Sequence, residues 1–193
     1  MRCCVRRRSR AISPKTMTTD FARLAHPPEP ALVALAEHHR TALKAACAED
    51  SAIWPIYSVS FDPDHFDAQF DRILADPNHI AFAIKDDDAV CGMTAYLNLK
   101  PAFETVEIGN TYLRPAVRGT GLNRRIKDAM IGHAFACGIR RIEFRIDDRN
   151  ARSKAAVRKL SAMQDGLIRA ERVTWTGHVR DTALFSILAG EWA

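Results

Sequence analysis

The stretch from Val106 to Leu160 decides the fold. It opens VEIGNTYLRPAVRGTGLNRRIKDAM (106–130) and closes IRRIEFRIDDRNARSKAAVRKL (139–160). In order it reads as strand, glycine loop, helix, strand and short helix. The first strand ends near Pro115. The loop is Arg118-Gly119-Thr120-Gly121-Leu122-Asn123. Its two glycines permit tight turns and close approach by a ligand. A helix starting at Leu122 aims its free N–H groups into that loop, a geometry that binds phosphate or pyrophosphate. The three-glycine dinucleotide fingerprint and the Gly-Lys-Ser/Thr loop are both absent.

Working outward, Leu122, Ile126, Ala129, Met130 and Ala134 recur at helical spacing, and Gly138 stops the helix. Ile142, Phe144 and Ile146 alternate as a strand. A polar turn follows, and Asn150 is placed to cap a helix over 151–160. The helical crossover predicts parallel neighbours for the strands of Glu107 and Ile142. Strict alternation puts Glu107, Gly109, Thr111 and Leu113 on one strand face, and Val106, Ile108, Asn110 and Tyr112 on the other.

On the N-terminal side, Phe21 to Leu24 reads as a short strand, broken by HPPEP (26–30). A first helix is expected from Pro30 through Cys47, on Leu32, Leu35, Ala36, His39 and Leu43. A second runs from Asp62 or Pro63 through Leu74, on Phe66, Phe70, Ile73 and Leu74. Ile80 to Ile84 and Val90 to Leu99 form a hairpin around an acidic turn. Residues 167–175 and 183–188 read as two final strands about Thr176-Gly177-His178. The fold class is α+β: a three-layer arrangement with a mixed, mostly antiparallel sheet and helices on both faces.

Charge and cysteine usage exclude several classes. Arg2, Arg6, Arg7, Arg8, Arg10 and Lys15 lie in residues 1–17 without an acid. Removing these six from the 28 basic residues leaves 22 against 23 acidic ones. The body is near neutral, so no nucleic-acid face is implied. Residues 1–19 read as a disordered basic leader and 20–193 as a single domain; Met17 is an alternative start. No stretch reaches about 18 consecutive apolar residues, so no membrane span is expected. The five scattered cysteines are not a disulfide scaffold, and Cys91 and Cys137 read as buried thiols. No metal site is expected, since Asp86-Asp87-Asp88 lacks converging spacing. Without an apolar segment behind the arginines, the expected location is cytoplasmic.

Arg118, Gly121 and Asn123 resemble the Arg/Gln-x-x-Gly-x-Gly/Ala signature of the GCN5-related N-acetyltransferases, with Asn departing in the last place. Glu107-Ile108-Gly109, Asn150-x-x-Ser153 with Leu160 and Gly166, and the tail FSILAGEW (185–192) resemble the ribosomal-protein N-terminal acetyltransferase-like branch. The likeness covers residue 50 to the end. It implies acetyl-CoA as cosubstrate, an amine as acceptor, a helical pair covering that acceptor, and a homodimer. Phe185 and Trp192 are candidates for the dimer interface or for the monomer core.

Acetyl transfer to an amine needs a fixed thioester, an unprotonated nitrogen and stabilisation of the oxyanion and departing thiolate. The cosubstrate residues are then Thr111, Leu113, Arg118, Gly119, Thr120, Gly121, Leu122, Asn123, Asn150 and Ser153. The pantetheine arm pairs with residues 111–113, and the Leu113 N–H meets the thioester carbonyl. Glu107 is either the base, through water over roughly 13–20 Å of strand, or a carboxylate that organises the sheet. Ser153 is either the donor to the thiolate or an ordinary first-turn serine. Glu143 and Asp147 are weaker choices, expected to face solvent. Trp54 and Tyr57 either wall the acceptor site or close the core edge. The alternatives are a non-catalytic acyl-CoA-binding module and a polyamine or aminoglycoside N-acetyltransferase.

Overall fold

A computed structural model describes residues 19–192; the basic leader expected at 1–19 lies almost wholly outside the described residues. Seven strands form one sheet in the order β1-β2-β3-β4-β5-β7-β6. They are β1 (Leu32–Ala34), β2 (Ile80–Asp86), β3 (Ala89–Lys100), β4 (Thr105–Leu113), β5 (Arg141–Asp147), β6 (Met163–Val173) and β7 (Val179–Leu188). The helices are α1 (Arg40–Ala48), α2 (Phe66–Ala75), α3 (Leu122–Ala136) and α4 (Ala151–Arg158). Among the described residues only β4 and β5 pair in parallel; every other pairing is antiparallel. The mixed, mostly antiparallel sheet expected from the sequence is therefore present.

Two apolar clusters place the layers. Ile126, Met130, Ile131 and Ala134 of α3 and Val157 of α4 pack on Val106, Ile108, Ile142, Phe144, Phe185 and Ile187 of the sheet. Across the sheet, Leu43 and Cys47 of α1 and Phe66, Phe70 and Ile73 of α2 pack on Met93 and Tyr112 with Trp54 and Phe61. Gly138, at φ 88°, sits just past the end of α3 in the left-handed conformation that closes a helix. Phe185 is fully buried in the first cluster, and the half-buried Trp192 packs against that cluster, its ring tilted towards Phe135 at 6.5 Å. Both aromatic residues thus serve the monomer core.

Several local expectations are corrected. Phe21 to Leu24 is not a strand: Asp20 Oδ1 accepts the Arg23 N–H at 3.0 Å, and a 3-10 turn spans Arg23–Ala25. The helix expected from Pro30 begins only at Arg40, because Leu32, Val33 and Ala34 pair with Ile84, Ala83 and Phe82. That partner strand is distant in sequence, so local spacing could not register it. The second helix begins at Phe66; before it, Asp62 Oδ1 ties down the N–H groups of Asp64 and His65 in a turn.

Strict alternation along β4 also fails. Asn110 has φ 49°, and the β3–β4 register shifts between the pairs Met93–Tyr112 and Ala95–Gly109. Two residues there oppose Thr94 alone, which is a β-bulge. Beyond it the faces exchange. Tyr112 joins the α1–α2 cluster, while Leu113 joins the α3–α4 cluster. Glu107 and Leu113 therefore lie on opposite faces of the sheet.

Candidate active site

The bulge marks a separation of strands. β4 and β5 are paired only at Thr105–Arg141, Val106–Ile142 and Glu107–Glu143. Past Glu107, β4 stays with β3 and β5 stays with β7. The resulting wedge opens towards the N-termini of α3 and α4. It holds a cavity of about 1050 Å³ that reaches from Gly119, Gly121 and Asn123 to Glu107.

At the loop end, Gly119 and Gly121 have φ of 82° and 90°, values that a side chain would strain. Gly121 is the N-cap of α3. The first turn of α3 carries N–H groups without intrahelical acceptors, so this end of the wedge is suited to an anion. Arg118 braces the loop: Nε donates to Leu113 O at 2.7 Å, and Nη1 pairs with Asp50 Oδ2 at 2.5 Å. Thr120 Oγ1 donates to Val117 O at 2.9 Å, and Leu122 is buried in the core. Arg118 Nη2 and Asn123 Oδ1 are buried without partners, and both residues line the cavity.

Asn150 and Ser153 also line the cavity. Asn150 caps α4, its Oδ1 accepting the Ser153 N–H at 2.9 Å. Thr111 O accepts from the Tyr57 hydroxyl at 3.0 Å, and Tyr57 lines the cavity from the opposite side. Trp54 does not line it: it is 0% exposed, inside the α1–α2 cluster.

Glu107 is 7% exposed at the far end of the cavity. Asn98 Nδ2 donates to its Oε2 at 2.7 Å, and Arg145 Nε lies 3.8 Å away. Burial pushes the carboxyl above its ordinary pKa, opposed by the Asn98 hydrogen bond and the Arg145 charge. Glu143 and Asp147 do not face solvent, as the sequence suggested, because each carboxylate is engaged by arginines. They are 8% and 3% exposed. Glu143 pairs with Arg141 at 3.1 Å and Asp147 with Arg149 at 2.8 Å.

Two lining residues escaped the sequence reading. His79 Nε2 lies 3.4 Å from Asn110 Nδ2 at the bulge, and burial holds its pKa below the ordinary histidine value. Lys127, on the second turn of α3, is 6% exposed and places Nζ 2.6 Å from Thr111 Oγ1 and 2.9 Å from Thr94 Oγ1. A lysine on an amphipathic helix ordinarily reads as a solvated position. The available signal was its flanking by Asn123, Met130 and Ile131, one turn away on either side. Among the described residues, no group of three His, Cys, Asp or Glu side chains is arranged to hold a metal ion, and no helix is long and apolar enough to cross a membrane.

Comparison with known proteins agrees with this architecture. The Acetyltransferase (GNAT) family matches residues 48–161, more than half of the chain. A structure described as a probable acetyltransferase of the GNAT family, from Chromobacterium violaceum ATCC 12472, is 30% identical with a TM-score of 0.85. The match covers 95% of this chain and 96% of that one. A GCN5-related N-acetyltransferase from Brucella melitensis is 26% identical with a TM-score of 0.78, over 83% of this chain and 76% of that one. On the matched family, the sheet and the wedge together, the chain belongs to the GNAT acetyltransferases.

Proposed function

We propose that the protein moves an acetyl group from acetyl-CoA to a primary amine, with a protein N-terminus as the acceptor class. The observation that carries this reading is the wedge itself: one continuous cavity joins a glycine-rich helix N-terminus to a buried carboxylate. The backbone around Gly119, Thr120, Gly121, Leu122 and Asn123 holds the pyrophosphate, and Arg118 fixes that loop. The arm runs beside Thr111 and Leu113, with Asn150 and Ser153 across from it. Glu107 takes the acceptor's proton through water, and Ser153 stands ready to donate to the thiolate. Tyr57 is retained as an acceptor-side residue, and Trp54 supports it from the core. The N-terminal branch rests on the sequence resemblance of Glu107-Ile108-Gly109 and Asn150-x-x-Ser153; a homodimer rests on the same family resemblance, and a cytoplasmic location on the sequence pattern behind the N-terminal arginines.

Mass spectrometry of a panel of peptides, polyamines and aminoglycosides incubated with acetyl-CoA tests the reading. An acetylated peptide N-terminus is the expected product. Acetylation of a polyamine or aminoglycoside instead would reassign the acceptor. Saturable acetyl-CoA binding without any product would make the protein an acyl-CoA-binding module.

A further inference from the structure

Lys127 is a buried amine that the scheme above does not use. Its side chain crosses from α3 to the bulge of β4 and lines the wedge. Among the described residues no carboxylate lies within ion-pairing distance of its Nζ. Its hydrogen-bond partners are Thr111 Oγ1 at 2.6 Å and Thr94 Oγ1 at 2.9 Å. Those two hydroxyls lie 2.9 Å apart, and Thr111 Oγ1 donates onward to Gly109 O at 3.2 Å. The threonine pair therefore offers acceptors for two N–H bonds. A neutral amine has two and is satisfied; an ammonium has three and needs one more acceptor.

We propose that Lys127 is a cosubstrate-binding residue: its ammonium gives the third N–H to a carbonyl oxygen of the acyl-pantetheine arm, and a proton is drawn from solvent as that arm enters. The inference rests on the acyl-CoA reading of the wedge, in which the arm passes Thr111. Thr111 is the residue Lys127 holds, so an oxygen acceptor on the arm comes within reach of the remaining N–H. A charge-assisted hydrogen bond in a dry site favours the protonated form once its acceptor is present.

The protonation balance of Lys127 supports this. Burial alone pushes its pKa down to about 7. The other charged groups lining the same cavity are Arg72 on α2 and Asp76 just past it, Glu107 on β4, Arg118 in the glycine loop, Arg124 on α3, Arg145 and Asp147 on β5, Arg152 on α4 with Lys159 just past it, Arg172 on β6 and Arg180 on β7. None of them sets this value; loss of hydration does. Without an acceptor the amine is largely neutral at pH 8, so binding an acceptor there must bring in a proton.

Calorimetric titration with acetyl-CoA at pH 8, in phosphate and in Tris, reads proton uptake from the difference in apparent heat. The expected uptake approaches ~1 proton per site at pH 8 and falls to roughly a tenth of that at pH 6. Lys127→Met should abolish the uptake and weaken acetyl-CoA by about tenfold or more. Equal uptake with 3′,5′-ADP, which lacks the arm, would place the contact on phosphate and overturn the proposal. So would acetyl-CoA binding by the wild-type protein without uptake, or an acetyl group found on Lys127 itself. Absence of any binding heat and of any displacement by acetyl-CoA would remove the acyl-CoA reading as a whole, which sets that failure apart.

Discussion

Asn98 on β3 donates to Glu107 on β4 at 2.7 Å, and Asn98 does so from a left-handed backbone at φ 48°. The register of β3 and β4 shifts just beyond this pair, between Leu97 and Lys100. The irregular strand thus turns an amide onto a carboxylate that burial would otherwise protonate more readily. In the proposed reaction this carboxylate takes the acceptor's proton when it is ionised. Because the folded pKa lies above the ordinary value, the active, unprotonated form accumulates only at a pH above the usual carboxylate range. Wild-type kcat should therefore fall on the acid side, and Glu107→Gln should lower kcat by roughly 10²–10⁴-fold with acetyl-CoA affinity nearly intact. A loss of only two- or threefold, about the noise of a structural adjustment, would assign Glu107 to organising the sheet.

The brace beneath the glycine loop gives a second expectation. Arg118 ties Leu113 O to Asp50 and lies over the Tyr112 ring at 5.5 Å. Asp50→Ala leaves the guanidinium held on one side only. The pair is about a quarter exposed, so the stability cost is about 1 kcal/mol, read as a lower urea midpoint. The larger effect is on cosubstrate: the acetyl-CoA Kd should rise severalfold while kcat at saturation changes little. An unchanged Kd would mean that the loop keeps its shape without Asp50.

Two glycines separate backbone from side-chain crowding. A Cβ at Gly92 would lie 2.1 Å from Tyr112 O, which is backbone of the paired strand. A Cβ at Gly109 would meet Leu97 Cδ1 at 2.9 Å and Glu107 Oε1 at 3.1 Å, both ends of side chains. Gly92→Ala must push β3 from β4, so it should destabilise by more than the ~1–3 kcal/mol typical of overpacking. Gly109→Ala should stay within that range and should also disturb turnover, because it displaces the Glu107 carboxylate. Chemical denaturation of both variants checks the order, and the reverse order would contradict the observed pairing.

How much of this was legible in the sequence depended on the range of the forces involved. Helix α3 was legible because Gly121 and Gly138 punctuate it and Ile126, Met130 and Ala134 repeat within a few turns. The strand of Leu32–Ala34 was not, because its stabilising partner, Phe82–Ile84, is remote in sequence while its apolar spacing also fits a helix. The bulge at Asn110 was hidden for a related reason: alternation assumes one residue per pleat, and only the register against Thr94 reveals the extra one. The glycine loop, Asn150 and Ser153 could be brought to one place from local motifs. Lys127 was not read that way: Met130 and Ile131 one turn on hint at a buried face, but the wedge that α3 covers completes the burial.

That burial has a stability consequence of its own. The ordinary lysine pKa of 10.5 falls to about 7 in the folded protein, with desolvation as the cause. Between these values the unfolded chain binds more protons than the folded one, so stability rises with pH across that window. Below about 7 the side chain is charged in both states, and the cost of burying the charge is fully present. A tenfold change in a protonation equilibrium is worth about 1.4 kcal/mol, which puts the cost at neutral pH on the order of a few kcal/mol. Methionine fills similar space without a charge. Removing Nζ also leaves no orphaned donor, since Thr94 and Thr111 keep their mutual bond at 2.9 Å and Gly109 O remains an acceptor. Lys127→Met should therefore unfold at a higher urea concentration than wild type at pH 6 and 7. Its advantage should shrink steadily as the pH is raised towards 10, because the wild-type lysine then loses its charge in the unfolded state as well. A midpoint at or below wild type at pH 7, or an advantage that does not vary with pH, would mean that the lysine is hydrated in the folded protein and carries no buried charge.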